Sequence, residues 1–214
     1  MSTSVRFLVD GFNVYHAIRE VERRQGHDCH WLDIRGLCAS ALQLIGPQAH
    51  LGEVHYFSAL AHHLERSKPG TVGRHQQYLE ALRATGVVIH LGAFKPKDIR
   101  YRSETCRVQL RRHEEKETDV AIAAMVIESA LADECPAVCV VSGDTDLVPA
   151  FRTVQRVRPS TRLYSLFPPY RANRAFRPHV DGDFKVAPTR LRDTLLPDPV
   201  VDSEGRPITK PTAW

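Results

Sequence analysis

Short apolar runs alternate with amphipathic segments along this chain, and that alternation constrains its fold more than any other feature. The first run, Val5 to Val9, ends directly at Asp10 and Gly11. Short apolar runs bounded by turn residues are typical of strands buried in a parallel sheet. Further strands are predicted at Gly52 to Phe57, Val87 to Leu91, Ala137 to Val141 and Thr161 to Phe167.

Helices are predicted between these strands, because apolar residues recur there at helical spacing. Their predicted ranges are Val14 to Arg24, Ile34 to Ile45, His75 to Ala84, Thr118 to Ala132 and Leu147 to Val157. Strands that alternate with helices imply right-handed crossovers. We therefore expect an α/β fold of three α/β/α layers with a doubly wound, mainly parallel sheet. The strand order 3-2-1-4-5 is our working hypothesis for this sheet. The residues Ala93 to His113 fit either an irregular excursion or a hairpin.

The length of 214 residues suits one domain followed by a short tail. Residues 1–187 form the predicted domain. Residues 188–214 are rich in Pro, Asp and Thr and show little periodicity, so we expect a flexible C-terminal tail there. The chain has no apolar run of about 18 residues and no signal-peptide pattern, which predicts a cytoplasmic protein without a membrane span.

Positive charge is concentrated late in the chain. Residues 147–192 contain ten Arg or Lys against two acids, whereas the net charge of the whole chain is only +4. A polyanionic partner would account for this bias. A solvated helix surface that keeps the protein in solution would account for it as well.

Four aspartates are predicted to meet at one edge of the sheet. Asp10 directly follows the first strand, and Asp144 and Asp146 follow the fourth. Strands one and four are neighbours in the expected order, and ligand sites of open α/β sheets lie at the carboxyl edge where that order reverses. Asp119 joins the group because the helix after the third strand begins at the same edge.

Carboxylates that converge in one cleft repel one another unless a cation neutralises them. An all-oxygen set of ligands favours Mg²⁺ or Mn²⁺ over Zn²⁺. A metal held in this way can activate a water and stabilise charge on a phosphate during in-line displacement. The acidic group thus indicates a divalent-metal-dependent nuclease.

Each of these acids also has a purely structural interpretation. Asp144 and Asp146 are suitable helix caps, and Asp10 is a suitable turn residue. Asp119 is an acid in the first turn of a helix, where the helix dipole favours it. Convergence of all four at one sheet edge favours the metal site over three unrelated structural roles.

Four neighbouring polar residues are accessory candidates. Asn13 either orients Asp10 or a metal-bound water, or caps its own helix. Lys116 either contacts phosphate or is an ordinary surface lysine. Ser142 and Thr145 either hydrogen-bond the carboxylates or form turn hydrogen bonds. The histidines His62, His63 and His113 lack the spacing of a known metal motif, so we do not assign them to a site.

Three segments resemble the NYN domain, a branch of the PIN-like nuclease superfamily. They read FLVDGFNVYHAI, KETDVAIAAMVI and VVSGDTDLVPAFRTV, and they occur in this order within residues 6–186. The resemblance implies a PIN-like fold and metal-dependent ribonuclease activity on single-stranded or structured RNA. It also implies catalytic roles for the residues at matching positions: Asp10, Asp119, Asp144 and Asp146 as metal-binding acids, with Asn13 and Lys116 as accessory residues.

One position departs from that family pattern. Many members carry a further Asp about six residues after the middle acid, where this chain has Met125. One or two metal ions are therefore both compatible with the sequence. In the variable segment from Ala93 to Arg112, five arginines and Tyr101 are candidates to grip a single strand through phosphate contacts and base stacking. These arginines are Arg100, Arg102, Arg107, Arg111 and Arg112.

Two other functions compete with a ribonuclease. A haloacid-dehalogenase-type phosphatase has a similar acidic loop, but its nucleophile motif needs a second Asp where this chain has Phe12. A catalytically weak RNA- or partner-binding module with a PIN-like fold is the non-enzymatic alternative. We expect an endoribonuclease, yet the sequence does not separate endo- from exonucleolytic cleavage. It also leaves the RNA substrate and the oligomeric state open, a homo-oligomer included.

Overall fold

A seven-stranded sheet organises the chain, and the computed structural model describes residues 2–102, 107–132 and 135–214, without the side chains of residues 98–112. The strands are β1 (Thr3–Asp10), β2 (Ala49–Ala59), β3 (Val88–Arg102), β4 (Arg107–Lys116), β5 (Ala137–Val141), β6 (Arg162–Phe167) and β7 (Gly182–Lys185). The helices are α1 (Gly11–Gln25), α2 (Ile34–Ile45), α3 (Thr71–Ala84), α4 (Thr118–Leu131), α5 (Val148–Val157) and α6 (Pro188–Asp193). Two short strands, β8 (Val200–Val201) and β9 (Pro207–Ile208), pair with each other near the C-terminus.

The sheet has the strand order β4-β3-β2-β1-β5-β6-β7. Neighbouring strands are parallel except for β4, which runs antiparallel to β3. The five predicted strands lie in the predicted order, and one additional strand is present at each edge. The order reverses between β1 and β5, so the carboxyl ends of these two strands lie side by side.

Two apolar cores cover the two faces of the sheet. Helices α1, α2 and α3 contribute to one core, and α4 and α5 contribute to the other. Within β1, Val5 and Val9 belong to the first core and Leu8 to the second. This division follows from the alternation of side chains along a strand. The predicted three-layer α/β/α sandwich is therefore confirmed.

Local capping explains where two of the helices begin. Asp10 accepts a hydrogen bond from the backbone N–H of Asn13 at the start of α1. Asp33 does the same for Gly36 at the start of α2. Both contacts satisfy an amide that has no partner within its own helix. In the part of the chain that the structure describes, no helix is long and apolar enough to cross a bilayer.

The segment after Gly92 is a hairpin, which was one of the two structures that the sequence left open. Strand β3 pairs with β2 as far as Gly92, and from Ala93 onward its backbone pairs with β4. Charged residues that alternate with aromatic ones are thus a strand pattern here. The hairpin begins at the carboxyl edge of the sheet, where β2 separates β3 from β1.

Residues 188–214, for which the sequence predicts a flexible tail, contact the domain in the structure. Leu191, Leu196 and Val200 are buried in the core that α1, α2 and α3 line. Trp31 Nε1 donates a hydrogen bond to the Pro197 carbonyl over 3.0 Å. The composition suggested disorder because the apolar residues of this segment are too widely spaced for a periodic pattern. They nevertheless cover an apolar surface that the helices would otherwise expose to water.

Candidate active site

Asp10 lies at the end of β1, and only 3% of its surface is exposed. Its Oδ1 accepts the backbone N–H of Asn13 over 2.9 Å. Its Oδ2 accepts the hydroxyl of Ser142 over 2.7 Å. Burial is the main factor that raises the pKa of Asp10, and the nearby negative charge of Asp144 adds to it. The two hydrogen bonds act in the opposite direction and stabilise the carboxylate.

The turn after β5 brings Asp144 next to Asp10. The Ser142 hydroxyl that donates to Asp10 also accepts the backbone N–H of Asp144 over 3.1 Å. Asp144 in turn accepts the backbone N–H of Asp146 over 3.0 Å and caps a short 3-10 turn, Thr145–Leu147. The predicted capping role of Asp144 is therefore present. A capping carboxylate keeps a second oxygen that is free to bind a ligand.

Gly143 makes the close packing of this turn possible. A Cβ atom at this position would lie 1.8 Å from the carbonyl oxygen of Arg171. The backbone N–H of Gly143 donates to the side-chain oxygen of Asn13 over 3.1 Å. The Asn13 side chain thus connects the first turn of α1 to the turn that carries Asp144, and its backbone N–H holds Asp10.

Asp119 enters from the opposite face of the sheet, in the first turn of α4. That turn is held by Glu115 at the end of β4, whose carboxylate accepts the backbone N–H of Thr118 over 3.1 Å. Glu117, between them, has a left-handed backbone with φ of 82°. Non-glycine residues in this conformation are strained and occur preferentially at functional sites. The chain therefore turns sharply from β4 into α4, which aims Asp119 at the end of β1.

The electrostatics of Asp119 show that the predicted acids lie near one another. Burial is the main cause that raises the pKa of Asp119 from 3.8 to about 6, and the negative charges of neighbouring acids add to the rise. These neighbours are Asp10, Asp144, Glu115 and Asp146. The charges of Asp10, Asp144 and Asp146 thus act on Asp119 at the carboxyl edge of the sheet, in the cleft where the strand order reverses.

The donors at this site are carboxylates, whose oxygens are the ligands that hard divalent cations prefer. Among the described residues, no three His, Cys, Asp or Glu side chains stand close enough to enclose an ion by themselves. Mg²⁺ characteristically takes only one or two carboxylates and completes its shell with water and substrate phosphate. In addition, the buried hydroxyl of Thr118 has no hydrogen-bond partner in the described part of the chain. The residues present therefore fit a partly hydrated ion better than a closed protein cage.

Other predicted residues occupy different places. The ammonium of Lys116 lies 3.1 Å from Glu114 and is half exposed, so its ion pair is with that residue and not with an aspartate. Met125 packs against the core between α4 and α5. Thr145 is exposed in the turn after β5. The side chains of Arg100, Arg102, Arg107, Arg111 and Arg112, like that of Tyr101, lie outside the described residues.

Glu115 is an acid of this cleft that the sequence analysis missed. It raises the pKa of Asp119, and it faces Phe94 in the register of the β3–β4 hairpin. Only the pairing of a hairpin could have placed it there, because side chains of one strand face alternate sides. His63 and His113, which the sequence left unassigned, come together on the same side: their rings stack with centroids 4.3 Å apart.

The basic segment from residue 147 to 192 neutralises its own two acids. Arg162 lies 2.5 Å from Asp181, and Arg177 lies 3.3 Å from Asp183. Arg171 passes directly over Gly143, and its Nε is buried without a hydrogen-bond partner in the described part of the chain. The backbone of one arginine of this segment is therefore adjacent to the acidic turn, and the charge of its side chain acts on His16 of α1.

Comparisons with known proteins agree with this architecture. A sequence model of the NYN domain family matches residues 4–187. No curated protein sequence matches the chain. A protein of unknown function from Vibrio parahaemolyticus RIMD 2210633 has a similar crystal structure, with a TM-score of 0.57 and 18% identity over 91% of this chain and 97% of that chain. At this identity the likeness establishes the fold alone.

Proposed function

The chain belongs to the NYN domain family of PIN-like nucleases, and from that premise we propose that it is a divalent-metal-dependent ribonuclease. The bond that it hydrolyses is a phosphodiester of single-stranded or structured RNA, by endonucleolytic cleavage. The catalytic group consists of Asp10, Asp119, Asp144 and Asp146. The ion is Mg²⁺ or Mn²⁺.

One observation carries this proposal: the Ser142 hydroxyl joins the Asp10 carboxylate to the backbone of Asp144, and the charges of Asp10, Asp144 and Asp146 all act on Asp119. A fold gains nothing in stability by bringing like charges together, so their proximity calls for a function. Strained backbone at Glu117 and the close approach of Gly143 to Arg171 maintain the same arrangement. The left-handed backbone of Glu117 is unfavourable locally, and the position of Gly143 accepts no side chain. Both constraints hold acids from distant segments close together.

The residues of the cleft divide the work of binding and positioning. Asp146 is exposed, and Asp119 and Asp144 are half-buried, so these three acids are available to an ion. Asp10 is buried and is held by the Ser142 hydroxyl and by a backbone amide. The side chain of Asn13 holds the turn that carries Asp144 against the first turn of α1, through its hydrogen bond from Gly143. A bound Mg²⁺ or Mn²⁺ supplies a water of lowered pKa and positive charge beside the phosphate.

Arg171 supports a polyanionic substrate. Its backbone covers the acidic turn, and its guanidinium retains an unused buried donor. A guanidinium is well suited to phosphate because its planar donors match the phosphate oxygens. We propose that this arginine contacts a phosphate of the RNA backbone.

Cleavage assays with matched variants test the proposal. We expect wild-type protein with Mn²⁺ to cut a labelled single-stranded RNA, and a circular RNA as well, because an endonuclease needs no free end. Asp119→Asn should reduce kcat by about 100-fold or more, as is typical when stabilisation of developing charge is lost. Asp33→Asn is the control, since Asp33 caps α2 as Asp10 caps α1 but lies outside the cleft.

Binding of the ion is tested separately from catalysis. Millimolar Mn²⁺ should raise the melting temperature of wild type, and EDTA should reverse the shift, because a ligand that binds only the folded state stabilises it. The shift should be largely lost in Asp144→Asn and kept in Asp33→Asn. RNA binding without Mn²⁺-dependent cleavage would contradict the ribonuclease and leave a binding module, the alternative that the sequence kept open.

A further inference from the structure

Four aromatic side chains form a surface beside the acidic cleft, and we refer to Phe12, His63, Phe94 and His113 as the aromatic shelf. The ring centroids of Phe12 and Phe94 are 5.6 Å apart in an edge-to-face arrangement. His63 lies 4.6 Å from Phe94 and stacks on His113 at 4.3 Å. These rings come from α1, from the 3-10 turn after β2 and from both strands of the hairpin, so the tertiary fold brings them together.

The shelf adjoins the catalytic acids on two sides. Phe12 follows Asp10 by two residues in the first turn of α1. Phe94 faces Glu115 across the hairpin, and the Glu115 carboxylate holds the helix turn that carries Asp119. His113 lies two residues before Glu115 on the same strand and therefore on the same face of the hairpin. A nucleotide whose phosphate lies at the acids would bring its base near these rings.

Packing of the protein itself does not explain the shelf. Phe12 and Phe94 belong to neither apolar core of the domain, and all four rings are partly exposed. The Nδ1 atom of His63 is buried and has no hydrogen-bond partner within the described residues. A buried polar atom without a partner is unfavourable, so its presence suggests a ligand group that completes the site.

We propose that the aromatic shelf binds an unpaired nucleobase of the RNA next to the phosphate at the acids. Aromatic rings, histidine included, stack on bases of any sequence, and this mode is typical of proteins that bind single strands. The base must be unpaired, because bases inside a duplex are already stacked on their neighbours. This inference rests on the proposed ribonuclease function and specifies its substrate: RNA that is single-stranded at the cleavage site.

A fluorescent base reports stacking directly. We would use an RNA oligonucleotide that contains one 2-aminopurine, whose emission is quenched when it stacks, and would bind it to Asp119→Asn protein so that the RNA remains intact. Scanning the label along the strand should reveal one or two positions that are quenched on binding. If no position of the label is quenched in bound RNA, the inference is wrong, whatever the cleavage assay shows.

Variants then assign the quenching to the shelf. Phe94→Leu and Phe12→Leu, each in the Asp119→Asn background, remove a ring but keep apolar volume. Each should abolish the quenching and weaken single-strand binding about 10-fold, which corresponds to the loss of one stacked base. Phe94→Tyr should restore both. Tyr15→Leu is the matched control, because Tyr15 is an exposed aromatic residue of the same helix outside the shelf.

The outcomes separate this inference from the proposed function. Quenching at the shelf without Mn²⁺-dependent cleavage in wild type would refute the ribonuclease and retain the base site. Normal cleavage with unchanged affinity in both leucine variants would refute the base site and retain the ribonuclease. Equal weakening of duplex and single-strand binding would also contradict the shelf as a site for unpaired bases. If Phe94→Leu fails to fold, Phe12→Leu and the scan of the 2-aminopurine label still test whether the shelf binds a base.

Discussion

At the scale of single residues, Asp119 shows how function opposes stability in this chain. Burial and the neighbouring acids favour its protonated form, and its pKa is about 6. The folded state therefore binds this proton more tightly than the unfolded state does, and its stabilising effect grows as the pH falls through 6. Above that range the ionised carboxylate destabilises the metal-free fold.

Asp119→Asn should accordingly stabilise the metal-free protein at pH 7. The full pKa difference would amount to about 3 kcal/mol, but the half-buried side chain is screened by solvent, so we expect about 1 kcal/mol. The difference from wild type should shrink towards zero at pH 4, where Asp119 is protonated. Urea unfolding in EDTA at both pH values measures this, and a variant less stable than wild type at pH 7 would mark Asp119 as a structural residue.

His75 should produce the opposite dependence on pH. Burial lowers its pKa from 6.5 to about 4, and the ring lies 3.3 Å from the Ser58 hydroxyl. The stability that the neutral ring contributes is complete above pH 6.5 and is lost as the pH falls towards 4. Between pH 7 and pH 4, protonation of His75 should lower the unfolding free energy of wild type by about 3 kcal/mol. Urea unfolding of His75→Gln should show a correspondingly smaller decrease over the same range.

The exposed His62 provides the control for that measurement. His62→Gln should follow the wild-type curve of unfolding free energy against pH. Identical curves for wild type and His75→Gln would show that the ring of His75 is not protonated within this pH window. Because Asp119 acts in the opposite sense in the same window, each effect has to be taken from the difference between wild type and one variant.

At the scale of secondary structure elements, the site depends on how closely two turns approach. The turn after β5 carries Asp144, and the chain after β6 crosses it at Arg171. Only a residue without Cβ fits between them, since a Cβ at Gly143 would lie 1.8 Å from the carbonyl oxygen of Arg171. The hydrogen bond from Gly143 to Asn13 then aligns this turn with α1.

Gly143→Ala should therefore displace the acidic turn. Overpacking of this kind typically costs about 1 to 3 kcal/mol, and we expect cleavage to fall by more than stability does, because the carboxylates lose their alignment. Thermal melting and RNA cleavage on the same preparation measure both effects. Gly73→Ala in α3 is the matched control: its Cβ meets nothing within 4 Å, so the change should stabilise the helix by about 0.5 to 1 kcal/mol. An unaltered cleavage rate in Gly143→Ala would contradict the importance of this turn.

At the scale of the whole molecule, the C-terminal segment completes one of the two cores. Besides its buried leucines, it carries Lys210, whose ammonium lies 2.9 Å from Asp28, and Trp214, whose ring lies 5.8 Å from Tyr78. The segment thus contacts both the loop after α1 and helix α3. We propose that residues 188–214 belong to the same folding unit as residues 1–187.

Leu196→Ala and Leu195→Ala test this unit with neighbouring residues of one type. Leu196 is 5% exposed and Leu195 is 39% exposed. Leu196→Ala should lower the free energy of unfolding by about 2 to 5 kcal/mol. Leu195→Ala should lower it by less than about 1 kcal/mol. Urea unfolding should show a single transition in both variants. Equally small losses of unfolding free energy in both variants would instead support the flexible tail that the sequence predicts.

Several parts of the fold and site were predictable because they depend on local patterns. Runs such as Val5 to Val9 identify a buried strand, and Asp33 directly precedes the helix that it caps. For the first helix the sequence suggested Asn13 as a cap, whereas the structure has Asp10 in that role and begins the helix at Gly11. Alternating strands and helices restrict the topology to few choices, and the assumed strand order is one of them. Asp10 and Asp144 were placed at one edge because both directly follow parallel strands.

What the tertiary structure alone decided involves residues whose partners are distant in sequence. Glu115 reaches Asp119 only through the pairing of β4 with β3, and the aromatic shelf joins four rings from three regions of the chain. The burial of Leu196 likewise depends on an apolar surface formed by α1, α2 and α3. Local sequence determines which residues form strands, helices and caps, because those patterns arise from hydrogen bonds and periodicity within a few residues. Contacts between distant segments arise when the apolar faces pack together, and no local pattern encodes which side chains then meet.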